Sequence, residues 1–77
     1  MTQQDVINLV ADALGISSDK LSPDSTASDF AEWDSMGMLS LAAALDSHGI
    51  AIDPGQGFVL QSLSALLGMF RRAGKLV

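Results

Sequence analysis

No disulfide or thiolate metal site can hold this chain together, because it contains no cysteine. Its 77 residues have room for one domain, residues 1–77, which buries only about 60% of the surface that the unfolded chain exposes. The thin core must come from aliphatic residues and four methionines, since the aromatic residues are few: Trp33, Phe30, Phe58 and Phe70. The fold therefore depends on how a few apolar segments pack.

Apolar residues recur at helical spacing in three segments. The first, residues 2–14, begins with the capping-box pair Thr2 and Asp5 and ends before Gly15, which is free to take a positive φ. The last begins after its predicted cap, Ser62, and carries four large apolar residues on one face: Leu63, Leu66, Leu67 and Phe70. These patterns predict helices at both ends of the chain.

The second helical segment runs from Ser35 to about His48, with Asp34 as its predicted N-cap and Gly49 at its end. Its apolar positions cover roughly 220° of the helix, more than the stripe of an ordinary surface helix: Met36, Met38, Leu39, Leu41, Ala42, Ala43 and Leu45. Gly37 falls outside this arc. Such excess apolar surface must pack with several neighbours, meet a partner or border a ligand cavity.

A long connection, residues 15–34, separates the first two helices. It is rich in Ser, Asp and Pro, and three large apolar residues should pin it across the helices: Leu21, Phe30 and Trp33. We expect a short helical turn near Asp29 to Glu32, a turn from Asp53 to Gly57, and another short helical turn from Phe58 to Leu60. The predicted fold is an all-α bundle of three main helices and one short helix, with a long loop between the first two.

The net charge of −5 is unevenly distributed. Residues 1–70 carry nine acids and only Lys20, a net charge of −8, because the other bases lie near the end: Arg71, Arg72 and Lys75. This charge repels nucleic acids and favours basic protein surfaces. No apolar run approaches the roughly 20 residues that span a bilayer, and the chain opens without a basic, apolar leader. A cytoplasmic monomer is expected.

The sequence offers no catalytic constellation. His48, the only histidine, has no cysteine or suitably placed serine near it, and the loop acids have no second cluster with which to form a cleft. Residues 55–57, Gly-Gln-Gly, are too short and follow no strand, so they do not form a phosphate-binding loop. We predict neither an enzyme nor a metal site.

What remains is the stretch 32–39, Glu-Trp-Asp-Ser-Met-Gly-Met-Leu. Ser35 lies just inside a helix N-terminus, where free backbone N–H groups and the helix dipole suit a phosphate ester. Taken alone, an Asp-Ser pair is usually only a cap followed by a serine. Whether Ser35 is a modification site therefore depends on the sequence that surrounds it.

Those surroundings resemble the acyl carrier protein family across nearly the whole chain. The resemblance lies in Asp19-Lys20-Leu21, Pro23-Asp24-Ser25, Trp33-Asp34-Ser35-Met36 and Gly49-Ile50-Ala51-Ile52. In such carriers a phosphopantetheinyl transferase uses coenzyme A and magnesium to attach 4′-phosphopantetheine to the motif serine, here Ser35. The thiol of the arm then carries acyl thioesters between ligase, synthase or transferase enzymes. The resemblance implies a freestanding acyl carrier protein.

It also implies a partner surface around the serine. Helix two usually displays a row of carboxylates, but its exposed side here carries Ser40, Ala44 and Ser47. We therefore expect partners to contact the helix cap, the methionines that flank the arm, one leucine and two loop acids: Asp34, Met36, Met38, Leu41, Asp29 and Glu32. Generic fatty-acid synthase enzymes should recognise the chain poorly, which favours a dedicated secondary-metabolite or specialised lipid pathway.

Two alternatives share parts of this pattern. A peptidyl or aminoacyl carrier, loaded by an adenylating enzyme, has the same fold and arm, although such domains usually place Gly-His before the serine. This chain has Trp33-Asp34 there. A helical protein-interaction module with an unmodified Ser35 would also suit the wide apolar arc and the acidity. A change in mass after treatment with coenzyme A and a transferase separates carriers from such a module.

Overall fold

The computed structural model describes residues 1–52 and 54–76 and contains three α-helices: α1, Gln3–Leu14; α2, Ser35–Ser47; and α3, Leu63–Arg72. Three 3₁₀ helices connect them: Ser18–Lys20, Ala27–Asp29 and Pro54–Gln61. The described residues form no β-strand, and their one isolated bridge is antiparallel and joins Thr26 to Ser62. The predicted all-α bundle of three main helices and a short fourth is confirmed.

Both ends of α1 follow from local sequence. The Thr2 hydroxyl accepts a hydrogen bond from the Asp5 N–H at 3.1 Å, and the Asp5 carboxylate accepts one from the Thr2 N–H at 2.9 Å. The bond from the Thr2 N–H to the carboxylate holds the pKa of Asp5 below its ordinary value. The stabilising effect of this bond is fully present above the unfolded-state pKa and is lost as the pH falls through the lowered folded-state pKa. Gly15 ends the helix at a φ of 71°.

The core lies between the three α-helices. Seven large side chains from all three are at most 1% exposed: Val6, Val10, Leu41, Leu45, Leu63, Leu66 and Phe70. Smaller or partly exposed apolar side chains surround them, including Met38 and Ala42 of α2. Close packing of this kind leaves few voids, so the interior of the bundle is already filled by its own side chains.

The apolar arc of α2 is wider than the face that packs. The buried residues of this helix are Gly37, Leu41 and Leu45, spaced at i, i+4 and i+8. Met36 is 72% exposed and Leu39 is 66% exposed, although both belong to the predicted arc. Gly37 lies just outside the predicted arc and is nevertheless buried, as the first residue of this stripe.

The long connection between α1 and α2 is pinned by the residues that the sequence singled out. Leu21 and Trp33 are buried, and Phe30 is half-buried against the core. The indole N–H of Trp33 donates a buried hydrogen bond of 2.8 Å to the carbonyl of Leu60. The end of this connection is thereby attached to the 3₁₀ helix Pro54–Gln61.

A second attachment lies earlier in the connection, at Ser25, which is 6% exposed. Its carbonyl accepts a hydrogen bond from the Leu63 N–H at 3.0 Å, and its hydroxyl accepts one from the Ser22 N–H at 2.9 Å. The first turn of α3 and the long loop are therefore joined through the backbone, while the hydroxyl of Ser25 holds the loop itself in place.

The short helical turns differ from their predicted positions. The turn expected near Asp29 to Glu32 occurs earlier, at Ala27–Asp29. The reason is local: the backbone N–H and hydroxyl of Thr26 both bond to the carboxylate of Asp29, at 3.0 and 3.3 Å. The turn expected at Phe58 to Leu60 belongs to the longer Pro54–Gln61 helix, which also takes in most of the turn expected from Asp53 to Gly57. Asp53 itself lies outside the described residues.

Gly37 is buried because the first turn of α2 lies directly against α1 and the preceding loop. A Cβ at this position would lie 2.6 Å from the carbonyl oxygen of Glu32 and 2.7 Å from Cδ2 of Leu14. Neither distance is an acceptable contact between heavy atoms, and the first neighbour is backbone. The close approach of α2 to α1 therefore requires glycine.

We expect Gly37→Ala to lower the free energy of unfolding by about 1–3 kcal/mol, because the loop carbonyl must shift to admit the methyl group. Gly68→Ala is the matched control, since a Cβ there meets only Arg72 Nη2 at 3.9 Å. It should raise the free energy of unfolding by about 0.5–1 kcal/mol, as alanine does in helix interiors. Urea unfolding followed by Trp33 fluorescence measures both, and equal effects would contradict the close approach.

Candidate functional site

Ser35 is the first residue of α2, and its side chain is exposed. The preceding residue, Asp34, caps the helix: its Oδ1 accepts a hydrogen bond from the Gly37 N–H at 2.9 Å, and its carbonyl accepts one from the Met38 N–H at 2.9 Å. Within the described part of the chain, the N–H groups of Ser35 and Met36 have no acceptor. The hydroxyl of Ser35 thus stands beside unpaired donors at the positive end of the helix dipole.

The backbone of Ser35 is fixed from both sides. Two residues before it, Trp33 is 2% exposed and bonded to the Leu60 carbonyl. Two residues after it, Gly37 packs against the Glu32 carbonyl and Leu14. The serine side chain therefore remains in solvent while the chain that carries it is held in place. This combination presents an accessible hydroxyl on a backbone that is held in place.

The acids predicted at the partner surface lie on the approach to Ser35. Asp29, Glu32 and Asp34 are all exposed. Two of these carboxylates also have local structural roles, because Asp29 bonds to Thr26 and Asp34 caps α2. The negative charge near the serine therefore comes from the loop rather than from α2, whose remaining acid, Asp46, lies near the far end of the helix.

The apolar part of the predicted surface needs one correction. Leu41 was expected to contact partners, but it is 1% exposed and belongs to the core. The exposed apolar residues of α2 are instead Met36 and Leu39, which lie one turn apart on one side of the helix. Met38, also expected at the surface, is half-buried. Sequence reasoning missed Leu39, because apolar residues occur on so many sides of α2 that periodicity does not select the packed side.

A groove of about 640 Å³ opens to solvent beside α2, one turn from Ser35. Its walls come from the long loop, from α2 and from the junction before α3: Thr26, Ala27, Ser28, Met38, Gln61 and Ser62. Of these, only Met38 was predicted as a site residue. The others come from two short stretches, 26–28 and 61–62, that lie more than thirty positions apart in sequence, so no local pattern could have grouped them. The groove adjoins the serine end of α2 and provides space for a group attached there.

The described residues provide neither a metal-binding cluster nor a membrane span. Across residues 1–52 and 54–76, no three histidine, cysteine, aspartate or glutamate side chains come together in a way that could hold a metal ion. In the same residues, no helix has the length and apolar character needed to cross a membrane. The exposed hydroxyl at the start of α2 and the adjoining groove are the features that a covalently attached phosphate-linked group would fit.

Comparison with known proteins points to the same serine-containing region. A family model described as "Phosphopantetheine attachment site" matches residues 4–70, which is 67 of the 77 residues. The matched region includes all of the loop, all of α2 and most of α1 and α3. No curated protein and no solved structure gives a significant match.

The stabilising effect of Asp34 as a helix cap can be separated from the effect of its negative charge. We expect Asp34→Ala to lower the free energy of unfolding by about 1 kcal/mol, because the Gly37 N–H loses its acceptor. Asp34→Asn should leave stability nearly unchanged, since asparagine caps as well as aspartate. Asp46→Ala removes an exposed acid near the C-terminal end of the same helix and serves as the control. Urea unfolding measures all three, and a loss in Asp34→Asn equal to that in Asp34→Ala would show that charge, not capping, is responsible.

Proposed function

The chain belongs to the phosphopantetheine attachment family of carrier proteins, and from this we propose that it is an acyl carrier protein whose arm is attached to Ser35. Domains of this family bear 4′-phosphopantetheine covalently and are not catalytic themselves. The observation that carries the assignment to Ser35 is the exposed hydroxyl on the first residue of α2, inside the matched region and on a fixed backbone. On this proposal residues 1–77 act as one carrier domain.

The residues around Ser35 suit both the attachment and its product. The hydroxyl would pass its proton to a base of the transferase and form a bond to phosphorus, while the bond between that phosphorus and the bridging oxygen of the coenzyme A diphosphate breaks and the nucleotide part leaves with this oxygen. The unpaired N–H groups of Ser35 and Met36 would then stand beside the negative charge of the phosphodiester. The dipole of α2 stabilises an anion at this position. When attached, the arm supplies a terminal thiol that holds acyl groups as thioesters.

Partner enzymes dock, in this proposal, on a surface made of the exposed pair Met36 and Leu39 together with the loop acids Asp29, Glu32 and Asp34. The transferase and the enzymes that load or use the cargo belong to the partners that a carrier domain implies. The apolar pair provides contact area beside Ser35, and the acids attract basic partner surfaces. Such a small contact suits partners that must bind and release the carrier in turn.

A dedicated secondary-metabolite or specialised lipid pathway is the setting that we propose. The support is the charge of α2, which has a single acid, Asp46, far from Ser35. Enzymes that bind a row of carboxylates along this helix would meet serine and alanine side chains instead. Enzymes that bind an exposed apolar pair, here Met36 and Leu39, together with acids in the preceding loop would meet both features.

Attachment at Ser35 is tested by intact mass before and after incubation with coenzyme A, magnesium and a broad-specificity phosphopantetheinyl transferase. We expect a gain of one phosphopantetheine group, absent in Ser35→Ala. Ser40→Ala, which changes another exposed serine of α2, should gain the group as the unaltered chain does. No gain from protein shown to start unmodified would instead favour the unmodified interaction module.

The docking surface is tested by the double variant Met36→Ala with Leu39→Ala. We expect kcat/KM for the transferase to fall about tenfold, because two lost apolar contacts of roughly 0.7 kcal/mol each amount to one decade. Stability should change little, since both side chains are exposed. Ser47→Ala, which changes an exposed serine about three turns further along α2, serves as the control for a change elsewhere on this helix. Unchanged kcat/KM in the double variant would contradict this surface.

A further inference from the structure

Trp33 is the one buried residue in the stretch that leads into α2. From residue 31 to residue 36 all the other side chains are exposed, among them those of Glu32, Asp34 and Ser35. A segment that is exposed on both sides of a single buried side chain takes its position from that side chain. The position of Ser35 therefore depends on how Trp33 is held.

The indole of Trp33 is held by a directional contact as well as by burial. Its N–H donates to the carbonyl of Leu60 at 2.8 Å, at the short end of the usual range for N–H···O bonds. Leu60 is itself buried, so the bond lies away from water, where it is stronger. Apolar contacts have no preferred direction and would allow the ring to turn, whereas a buried hydrogen bond specifies one arrangement.

The acceptor belongs to a distant part of the chain. Leu60 follows Trp33 by 27 positions and lies in the 3₁₀ helix Pro54–Gln61, just before the cap of α3 at Ser62. Val59 and Leu60 attach this helix to the core, since both are buried there. The bond therefore ties the segment before Ser35 to a part of the bundle that is separate from α2.

The close packing at Gly37 restrains the same segment in a different way. The backbone there lies against Leu14 and the carbonyl of Glu32, so the first turn of α2 cannot move further toward these neighbours. Close packing limits movement toward a neighbour but does not prevent movement away from it. The bond from Trp33, two residues before the serine, restrains the segment against movement away.

Docking and positioning are separable on α2. Leu39, one half of the proposed docking pair, belongs to the part of the helix that Leu41 and Leu45 anchor in the core. Loss of the Trp33 bond would loosen Ser35 at the helix start and leave this anchored part in place. The bond should therefore affect the transfer step more than it affects binding of the transferase.

We propose that Trp33 is a positioning residue for the attachment reaction: through its bond to Leu60 it holds the Ser35 hydroxyl in the orientation from which the transferase joins it to phosphorus. The inference rests on the proposed attachment of the arm at Ser35. Because the indole is buried, it acts through the backbone that it holds and not by contact with coenzyme A.

The variant Trp33→Phe tests the bond, because phenylalanine keeps an aromatic ring at this position and has no N–H to donate. Val6→Ala is the control for a loss of stability alone. It changes a fully buried side chain of α1 that lies about two turns before Leu14, and so away from the start of α2. Urea unfolding followed by far-ultraviolet circular dichroism checks that both variants fold and compares their stabilities.

The transfer step is measured by intact mass in single turnovers, with the transferase in excess over the unmodified chain. We expect Trp33→Phe to lower the rate constant at saturating transferase about fivefold, the equivalent of one typical hydrogen bond. The transferase concentration that gives half of this rate should hardly change. Val6→Ala should keep the rate constant of the unaltered chain. The double variant Met36→Ala with Leu39→Ala should instead raise the half-saturating concentration.

Amide hydrogen exchange measures the restraint without the reaction. The N–H groups of Gly37 and Met38, which bond to Asp34 at the start of α2, should exchange faster in Trp33→Phe than in Val6→Ala. In the unaltered chain the indole N–H of Trp33 should itself exchange slowly. This last measurement needs no variant, and exchange as fast as that of a free indole would refute the proposal even if Trp33→Phe does not fold.

Three kinetic results would overturn the positioning role. Trp33→Phe could transfer at the unaltered rate, or Val6→Ala could lose as much rate as Trp33→Phe, which would show an effect of stability alone. A change confined to the half-saturating concentration would assign Trp33 to docking instead. Failure of the unaltered chain to gain mass would contradict attachment at Ser35, and the exchange measurements would still report on the bond, so the two failures are distinguishable.

Discussion

The buried hydrogen bond from the Trp33 indole to the Leu60 carbonyl is the contact on which the site depends. It joins the last part of a long loop to the 3₁₀ helix Pro54–Gln61 at a place where both groups are withdrawn from water. A buried carbonyl without its donor is costly, so the bond specifies one position for the indole as well as stabilising it. Because Ser35 follows Trp33 by only two residues, fixing the indole also fixes the start of α2. A carrier must present one side chain to several enzymes, and a fixed backbone under an exposed hydroxyl meets this need.

Helix α2 carries apolar side chains on two sides, one packed against the core and one exposed to solvent. Gly37 allows the first turn of the helix to lie against α1, and Leu41 and Leu45 continue that contact into the core. The narrow packed stripe leaves Met36 and Leu39 in solvent beside Ser35. In an ordinary surface helix these positions would be polar. Here they place apolar area in solvent beside Ser35, and this is the surface that we propose for docking.

Three features thus meet at one end of the molecule, each from a different part of the chain. The long loop contributes acids and hydroxyls, α2 contributes the serine and its exposed apolar pair, and the junction before α3 contributes Gln61 and Ser62. The bonds from Ser25 to Leu63 and from Trp33 to Leu60 hold these parts together. The proposed docking surface and the groove therefore lie on parts of the chain that these two bonds hold together.

Local sequence determined the three α-helices, the caps at Thr2, Asp34 and Ser62, and the position of Ser35 at a helix start, because each depends on residues within about four positions of one another. The family also followed from local motifs. Tertiary structure decided which side of α2 is buried, and so placed Leu41 in the core, although it was expected at the partner surface, and left Leu39 in solvent. Periodicity could not decide this, since apolar residues surround most of that helix. The groove likewise required the loop and the start of α3 to meet, and contacts between residues so far apart in sequence are set by packing rather than by any local pattern.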